Sequence, residues 1–175
     1  RHDLLKRVVV ILPRARGLDS VQALRDRFDP LAAKIPPHLT LVFPFEDRIS
    51  DARLLAHLRR AVRGIRPFRI ALEDVTGQEG GYLFLNVKRG NDALITLHDR
   101  IYTGPLARHL SPEFTYTPHM TVGRMKRPRA FFRALAAARR TDPRLDARVD
   151  ALPIARLTGV DQVRLLGPAV DLRTA

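Results

Sequence analysis

Two pentads repeat one pattern of proline, histidine, apolar, threonine, apolar: Pro37-His38-Leu39-Thr40-Leu41 and Pro118-His119-Met120-Thr121-Val122, with the histidines 81 residues apart. The chain has six histidines and 13 prolines. At those frequencies the pattern is expected roughly 0.005 times, so chance does not account for two copies. The chemistry open to such a set is proton transfer around a phosphoryl group. Two imidazoles with ordinary pKa values near neutrality can divide labour, one accepting a proton and the other donating one. Two threonine hydroxyls can donate hydrogen bonds to non-bridging phosphoryl oxygens. Arg124, three residues after Thr121, is a local candidate to neutralise charge that develops in a transition state. The other reading of Arg124 is a solvated turn shared with Lys126, Arg127 and Arg129. Phe45 and Tyr116 flank the motifs, either as base-stacking rings or as ordinary core.

For these residues to act together, the elements carrying them must be strands. In a strand, residues i and i+2 share a face. His38 then stands beside Thr40, and His119 beside Thr121, while Leu39, Leu41, Met120 and Val122 turn to the core. If the two half-chains pack about a pseudo-two-fold axis, both polar faces line one cleft. The remaining histidines, His2, His57, His98 and His109, lack this duplicated setting and read as structural.

The rest of the chain alternates in a way that supplies such strands. Arg7 to Leu12 is short and β-branched, and Leu18 to Phe28 spaces Val21, Leu24 and Phe28 as an amphipathic helix. The first motif is bounded by prolines and followed by a helix opened by a Ser50 cap, with Leu54, Leu55, Leu58 and Val62 on one face. Arg53, Arg59, Arg60 and Arg63 form its solvated side. Two strands flank a turn at Gln78 to Gly81, and a third helix is capped by Asn91 or Asp92. The second motif strand is followed by a helix over Pro128 to Arg140. Two terminal strands then join near Gly159 and Asp161. The expectation is an α+β fold over residues 1–175 as a single domain of two lobes, with antiparallel-rich sheets and the helices packed outside.

Composition bounds the function. The formal net charge is +13, carried mainly by arginine, since Lys6, Lys34, Lys88 and Lys126 are the only lysines. Such a surface attracts phosphate-rich partners, although arginine-rich composition has other sources. The chain has no cysteine, which excludes disulfides and thiolate catalysis. It has no apolar run long enough to span a bilayer. A cytoplasmic monomer without membrane attachment is the expectation.

The motifs PHLTL and PHMTV resemble the two HxTx motifs of the 2H phosphoesterase superfamily. The half-chain spacing, length and element order resemble its bacterial 2′-5′ RNA ligase-like (LigT-like) cyclic phosphodiesterases. This resemblance implies a bilobal fold of two antiparallel-rich sheets with pseudo-two-fold symmetry, the motif strands facing across a central groove. It implies ATP-independent chemistry with no metal or cofactor, acting on RNA ends or cyclic nucleotides. By motif position, His38 resembles the proton donor, His119 the proton acceptor, and Thr40 and Thr121 the phosphate-holding threonines. Ligase-like members commonly continue the first motif with a Phe-Leu-Gly type turn. This chain has Phe43-Pro44-Phe45, closer to a different bacterial branch. Two further readings stand beside the enzyme: an RNA- or nucleotide-binding module using the same groove, and a histidine metalloenzyme. The latter ranks last because no ligand spacing such as HExxH is present.

Overall fold

The computed structural model describes residues 5–158, 162–167 and 169–172. His2 and the turn expected near Gly159 and Asp161 lie outside them. In chain order the elements are β1 (Leu5–Ile11), β2 (Arg14–Arg16), α1 (Leu18–Phe28), β3 (Leu39–Asp47), α2 (Asp51–Ala61), β4 (Phe68–Gln78), β5 (Tyr82–Arg89) and α3 (Asn91–Ile101). They continue with β6 (His119–Arg124), α4 (Pro128–Thr141), β7 (Leu145–Val149), β8 (Ala151–Leu152), β9 (Ile154–Thr158), β10 (Gln162–Leu165) and β11 (Val170–Asp171). Short 3-10 turns occupy Glu79–Gly81 and Gly104–His109.

Nine strands form one sheet in the order β10-β9-β1-β3-β6-β5-β4-β7-β2, and β11 pairs with β8 separately. The two sheets expected from the sequence are therefore two wings of one sheet. The wings meet at a single antiparallel pair, Leu39 opposite Met120. The motif strands come close enough there to join before they diverge.

The helices follow the wings. Val21 and Leu24 of α1 and Ala134 and Ala138 of α4 are buried with β4, β5 and β6, whereas Leu54, Leu58, Leu94, Leu97 and Ile101 of α2 and α3 are buried on the β3 side. Each amphipathic stripe thus covers the apolar face of one wing, which leaves the opposite face for function. Ser50 caps α2 as expected, its hydroxyl accepting from the Arg53 N–H at 3.2 Å. The cap of α3 differs. Neither Asn91 nor Asp92 fills it; Gly90 does, at φ 91°, a left-handed conformation that glycine adopts without cost. The Asn91 amide instead donates to the Val87 carbonyl at 3.0 Å.

Arg25 organises the approach to the first motif. It lies on the apolar stripe of α1 and is fully buried. Its guanidinium donates to the Asp29 carboxylate (2.9 Å), the Gln22 amide oxygen (3.1 Å) and the Ile35 carbonyl (2.8 Å). Asp29 also accepts from the Leu31 N–H at 2.9 Å. One buried ion pair thereby fixes the segment that leads into Pro36-Pro37-His38. Truncating one partner of such a pair leaves the other charge uncompensated. Arg25→Ala is expected to destabilise the fold by about 3 kcal/mol, read as a lowered urea midpoint; an unchanged midpoint would remove Arg25 from this role.

Candidate active site

The seam between β3 and β6 sets the geometry. Leu39 and Met120 face each other with no exposure, and Leu41 and Val122 are equally buried. His38, Thr40, His119 and Thr121 must then point to the opposite face, where all four are partly exposed. With Leu39 opposite Met120, antiparallel pairing carries His38 toward Thr121 and Thr40 toward His119. The sequence-derived quartet is therefore assembled at one place.

Both imidazoles are held in the same way. His38 Nδ1 lies 2.9 Å from the Pro36 carbonyl, and His119 Nδ1 lies 2.7 Å from the Thr117 carbonyl. A carbonyl only accepts, so Nδ1 carries the hydrogen in each neutral ring and Nε2 keeps its lone pair free. In both copies the accepting carbonyl belongs to the residue before a proline. Proline fixes its own φ and restricts the residue ahead of it, which stiffens the link between carbonyl and ring. That is a physical reason for the proline in the repeated pattern.

The electrostatics are also shared. Burial holds both imidazoles below the ordinary histidine value of 6.5, with the carbonyl bonds working in the opposite direction. For His38 the Arg25 and His119 charges add to the lowering, while Asp29 opposes it. The influence of the His119 charge on His38 reflects their proximity.

Other site residues fall in less expected places. Phe84 of β5 sits opposite Thr121, and its ring stacks on His119 with centroids 3.5 Å apart and planes 15° from parallel. The period-two pattern of Tyr82, Phe84 and Asn86 against Leu83, Leu85 and Val87 puts Phe84 on the outward face, but only strand pairing reveals its partner. Arg124 would fall on the core side by simple alternation from Met120 and Val122. A register shift near Phe84 makes Val122 an extra residue, so Gly123 turns inward and Arg124 returns to the site face. A Cβ at Gly123 would meet Phe28 Cβ at 2.9 Å, so the close approach of α1 requires glycine. The exposed Arg124 guanidinium lies 4.6 Å over the Tyr82 ring.

Phe45 is not placed to stack a base. It is only 5% exposed, packs against His109 at 5.0 Å, and lies beneath the buried Arg7 guanidinium. A register irregularity in β3 against β1 leaves Phe43 and Pro44 outward and Phe45 inward. Tyr116 has one face stacked on His98 at 4.0 Å, and its hydroxyl donates to the Thr40 carbonyl at 3.0 Å. It fastens the segment ahead of β6 to β3.

A cavity of about 710 Å³ adjoins the second motif, with His119 and Thr121 in its wall together with Phe43, Phe84, Phe114 and Tyr116. His38 and Thr40 are not among its lining residues. His98 and His109, read as structural, also reach this wall. They are anchored by Asp99 (2.9 Å) and Asp47 (2.7 Å) respectively. Burial alone would raise the Asp47 carboxyl, but bonds from Arg108, His109 and the Ile49 N–H outweigh it and hold Asp47 well below the usual carboxylate range. His57 stays structural, bonded to the Ile101 carbonyl at 2.8 Å.

Two histidine-threonine pairs lie along one antiparallel seam, and the chain belongs to the 2′-5′ RNA ligase superfamily, whose signature matches residues 13–161. It is 34% identical over 123 residues, 69% of each chain, to the Geobacillus kaustophilus protein named "Putative phosphoesterase GK0864". It is 31% identical over 121 residues, 67% of this chain and 69% of the relative, to a Bacillus pumilus protein named "Putative phosphoesterase". The crystal structure of E. coli LigT complexed with 3′-AMP shares the fold at a TM-score of 0.65 and 18% identity, covering 96% of this chain and 99% of LigT.

The stacked ring gives a test of how His119 is tuned. Phe84→Leu opens one imidazole face to water, so the His119 pKa is expected to rise toward 6.5, followed through its ring proton shifts in NMR. A titration identical to wild type would show that Phe84 does not shield the ring.

Proposed function

We propose that this chain is a phosphoesterase that opens 2′,3′-cyclic phosphates of RNA ends or nucleotides to 2′-phosphates by paired histidine catalysis. The observation that carries the reading is the matched pair of imidazoles, each with Nδ1–H bound to a fixed carbonyl and Nε2 left free on the same face. His119 Nε2 takes a proton from water as the oxygen attacks phosphorus. Protonated His38 gives its proton from Nε2 to the departing 3′ oxygen. The Thr40 and Thr121 hydroxyls donate to the non-bridging oxygens, and Arg124 supplies positive charge from the margin of the site. No metal or ATP enters this scheme. With an RNA 5′-hydroxyl in place of water as the nucleophile, the same steps break the bond from phosphorus to the 3′ oxygen and join the two ends through a 2′-5′ bond.

The lowered histidine pKa values fix the pH dependence. In the free protein both rings are mostly neutral at pH 7, so the form with His38 charged and His119 neutral becomes scarcer as pH rises. Because kcat/KM reports the free enzyme, its alkaline limb is expected below pH 6.5. Bound phosphate favours the imidazolium, so the alkaline limb of kcat should lie higher.

The experiment is hydrolysis of 2′,3′-cyclic mononucleotides and short cyclic-phosphate RNAs in the presence of EDTA, with the product assigned by phosphorus NMR. Activity should survive chelation and fall by about 10²–10⁴-fold in His38→Ala and in His119→Ala. A 3′-phosphate product would reverse the leaving-oxygen assignment. Tight RNA binding without turnover by the wild type would replace the enzyme reading with a binding module.

A further inference from the structure

The site face continues across the sheet beyond the catalytic strand. Strand pairing aligns Thr121, Phe84 and Thr76 in one cross-strand row, and His119, Asn86 and Glu73 in the next. Directly paired residues share a face, so this face extends from β6 through β5 to β4 and on to β7 and β2. At its far margin the composition changes. Arg14 of β2 pairs with Arg148 of β7, which pairs with Arg69 of β4. One step along, Arg16 pairs with Asp146, Asp146 with Ala71, and Ala71 with Arg89. Five exposed arginines therefore surround one carboxylate. The alternate residues Ile70, Leu72, Ala147 and Val149 are buried, which places the arginines on the side away from the core.

Local charge balance does not explain this ladder. Asp146 pairs with Arg69 and Arg89. Among the described residues, no carboxylate pairs with Arg14, Arg16 or Arg148. Like charges directly opposite in a sheet oppose pairing, so the row of three arginines is an unfavourable arrangement in the isolated protein. The acidic residues between ladder and site are neutralised: Glu73 by Arg144 at 3.4 Å, and Asp74 by Lys88 at 3.0 Å. The ladder strands β4, β7 and β2 lie two, three and four steps of about 4.8 Å from β6, so the ladder spans roughly 10–19 Å across the sheet from the His119 strand, with Arg14 and Arg148 at the far end. A mononucleotide held at His119 does not reach that far, whereas a polymer with a charge on every residue does.

We propose that the arginine ladder of β2, β7 and β4 binds the sugar-phosphate backbone of a single-stranded RNA whose terminal phosphate is processed at His119. The proposal rests on the phosphoesterase reading for the terminal phosphate, and it names RNA strands rather than free nucleotides as the substrate class. The surface binds by charge and carries no base-reading pocket, so recognition there is independent of sequence.

The test measures binding and turnover separately. Fluorescence anisotropy with 5′-labelled single-stranded oligoribonucleotides of one to about 12 nucleotides is recorded against salt for wild type, Arg14→Gln/Arg148→Gln and Arg14→Lys/Arg148→Lys. Wild-type affinity should rise with length. The glutamine pair should weaken binding of long oligomers about tenfold and lower the slope of log affinity against log salt by about 1.4, two contacts at about 0.7 each. The lysine pair should retain the slope. kcat/KM on a cyclic mononucleotide should be the same in all three proteins. If no cyclic phosphate is hydrolysed but the glutamine pair still loses affinity and slope, the ladder stands and the catalytic reading fails. If mononucleotides turn over normally and oligomer binding ignores the substitutions, the ladder proposal is overturned. Tighter binding of duplex DNA or of a polyglutamate peptide through the same arginines would also overturn it.

Discussion

The site depends on one constraint, the antiparallel contact between Leu39 and Met120. These two side chains are fully buried, and their burial determines that the histidine and threonine on either side of each face outward. A slip of one residue in either strand would send the polar pair into the core and the apolar pair into the groove. The register is therefore specified by the hydrophobic effect. The groove chemistry follows from a packing decision made on the opposite face.

On that scaffold the two imidazoles are oriented by short local bonds. Each Nδ1–H is bound to a carbonyl two residues upstream, across a proline, so a ring keeps its tautomer wherever the strand is held. The strands are held by longer-range charge pairs. Arg25 and Asp29 tie down the approach to His38. At the other end of β3, Asp47 gathers Arg108 and His109, and the buried Arg7 reaches Asp51 at the start of α2 at 3.0 Å. These pairs fix both ends of the motif strand.

The fold and the shared outward face of the histidine-threonine quartet were legible in the sequence because both rest on short periods. Proline-histidine-apolar-threonine-apolar reads as a strand with one polar and one apolar face, and α1, α2 and α4 carry their stripes openly. What escaped depends on partners distant in sequence. The irregularities in β3 and β6 move Phe43 and Arg124 to the outward face, and strict alternation predicts neither placement. The stack of Phe84 on His119 comes from pairing between β5 and β6. The α3 cap was misassigned to Asn91 or Asp92 because a left-handed glycine at Gly90 gives no side-chain signal. Arg25 did leave a trace, a charged residue on an apolar helical stripe beside Val21 and Leu24. The net charge of +13 had two readings in the sequence. The structure adds that part of this charge is aligned on the face that carries His119.

The proposed reaction requires two histidines, held in the same tautomer, that present free Nε2 atoms to one phosphoryl group. Nitrogen-15 NMR of the imidazole rings measures this directly. At pH 7.5 His38 and His119 are both expected to be protonated at Nδ1 and bare at Nε2, and a non-hydrolysable phosphate ligand is expected to protonate one Nε2 while the other stays bare. Either ring found as the Nε2–H tautomer in the free protein, or both unchanged on ligand binding, would contradict it.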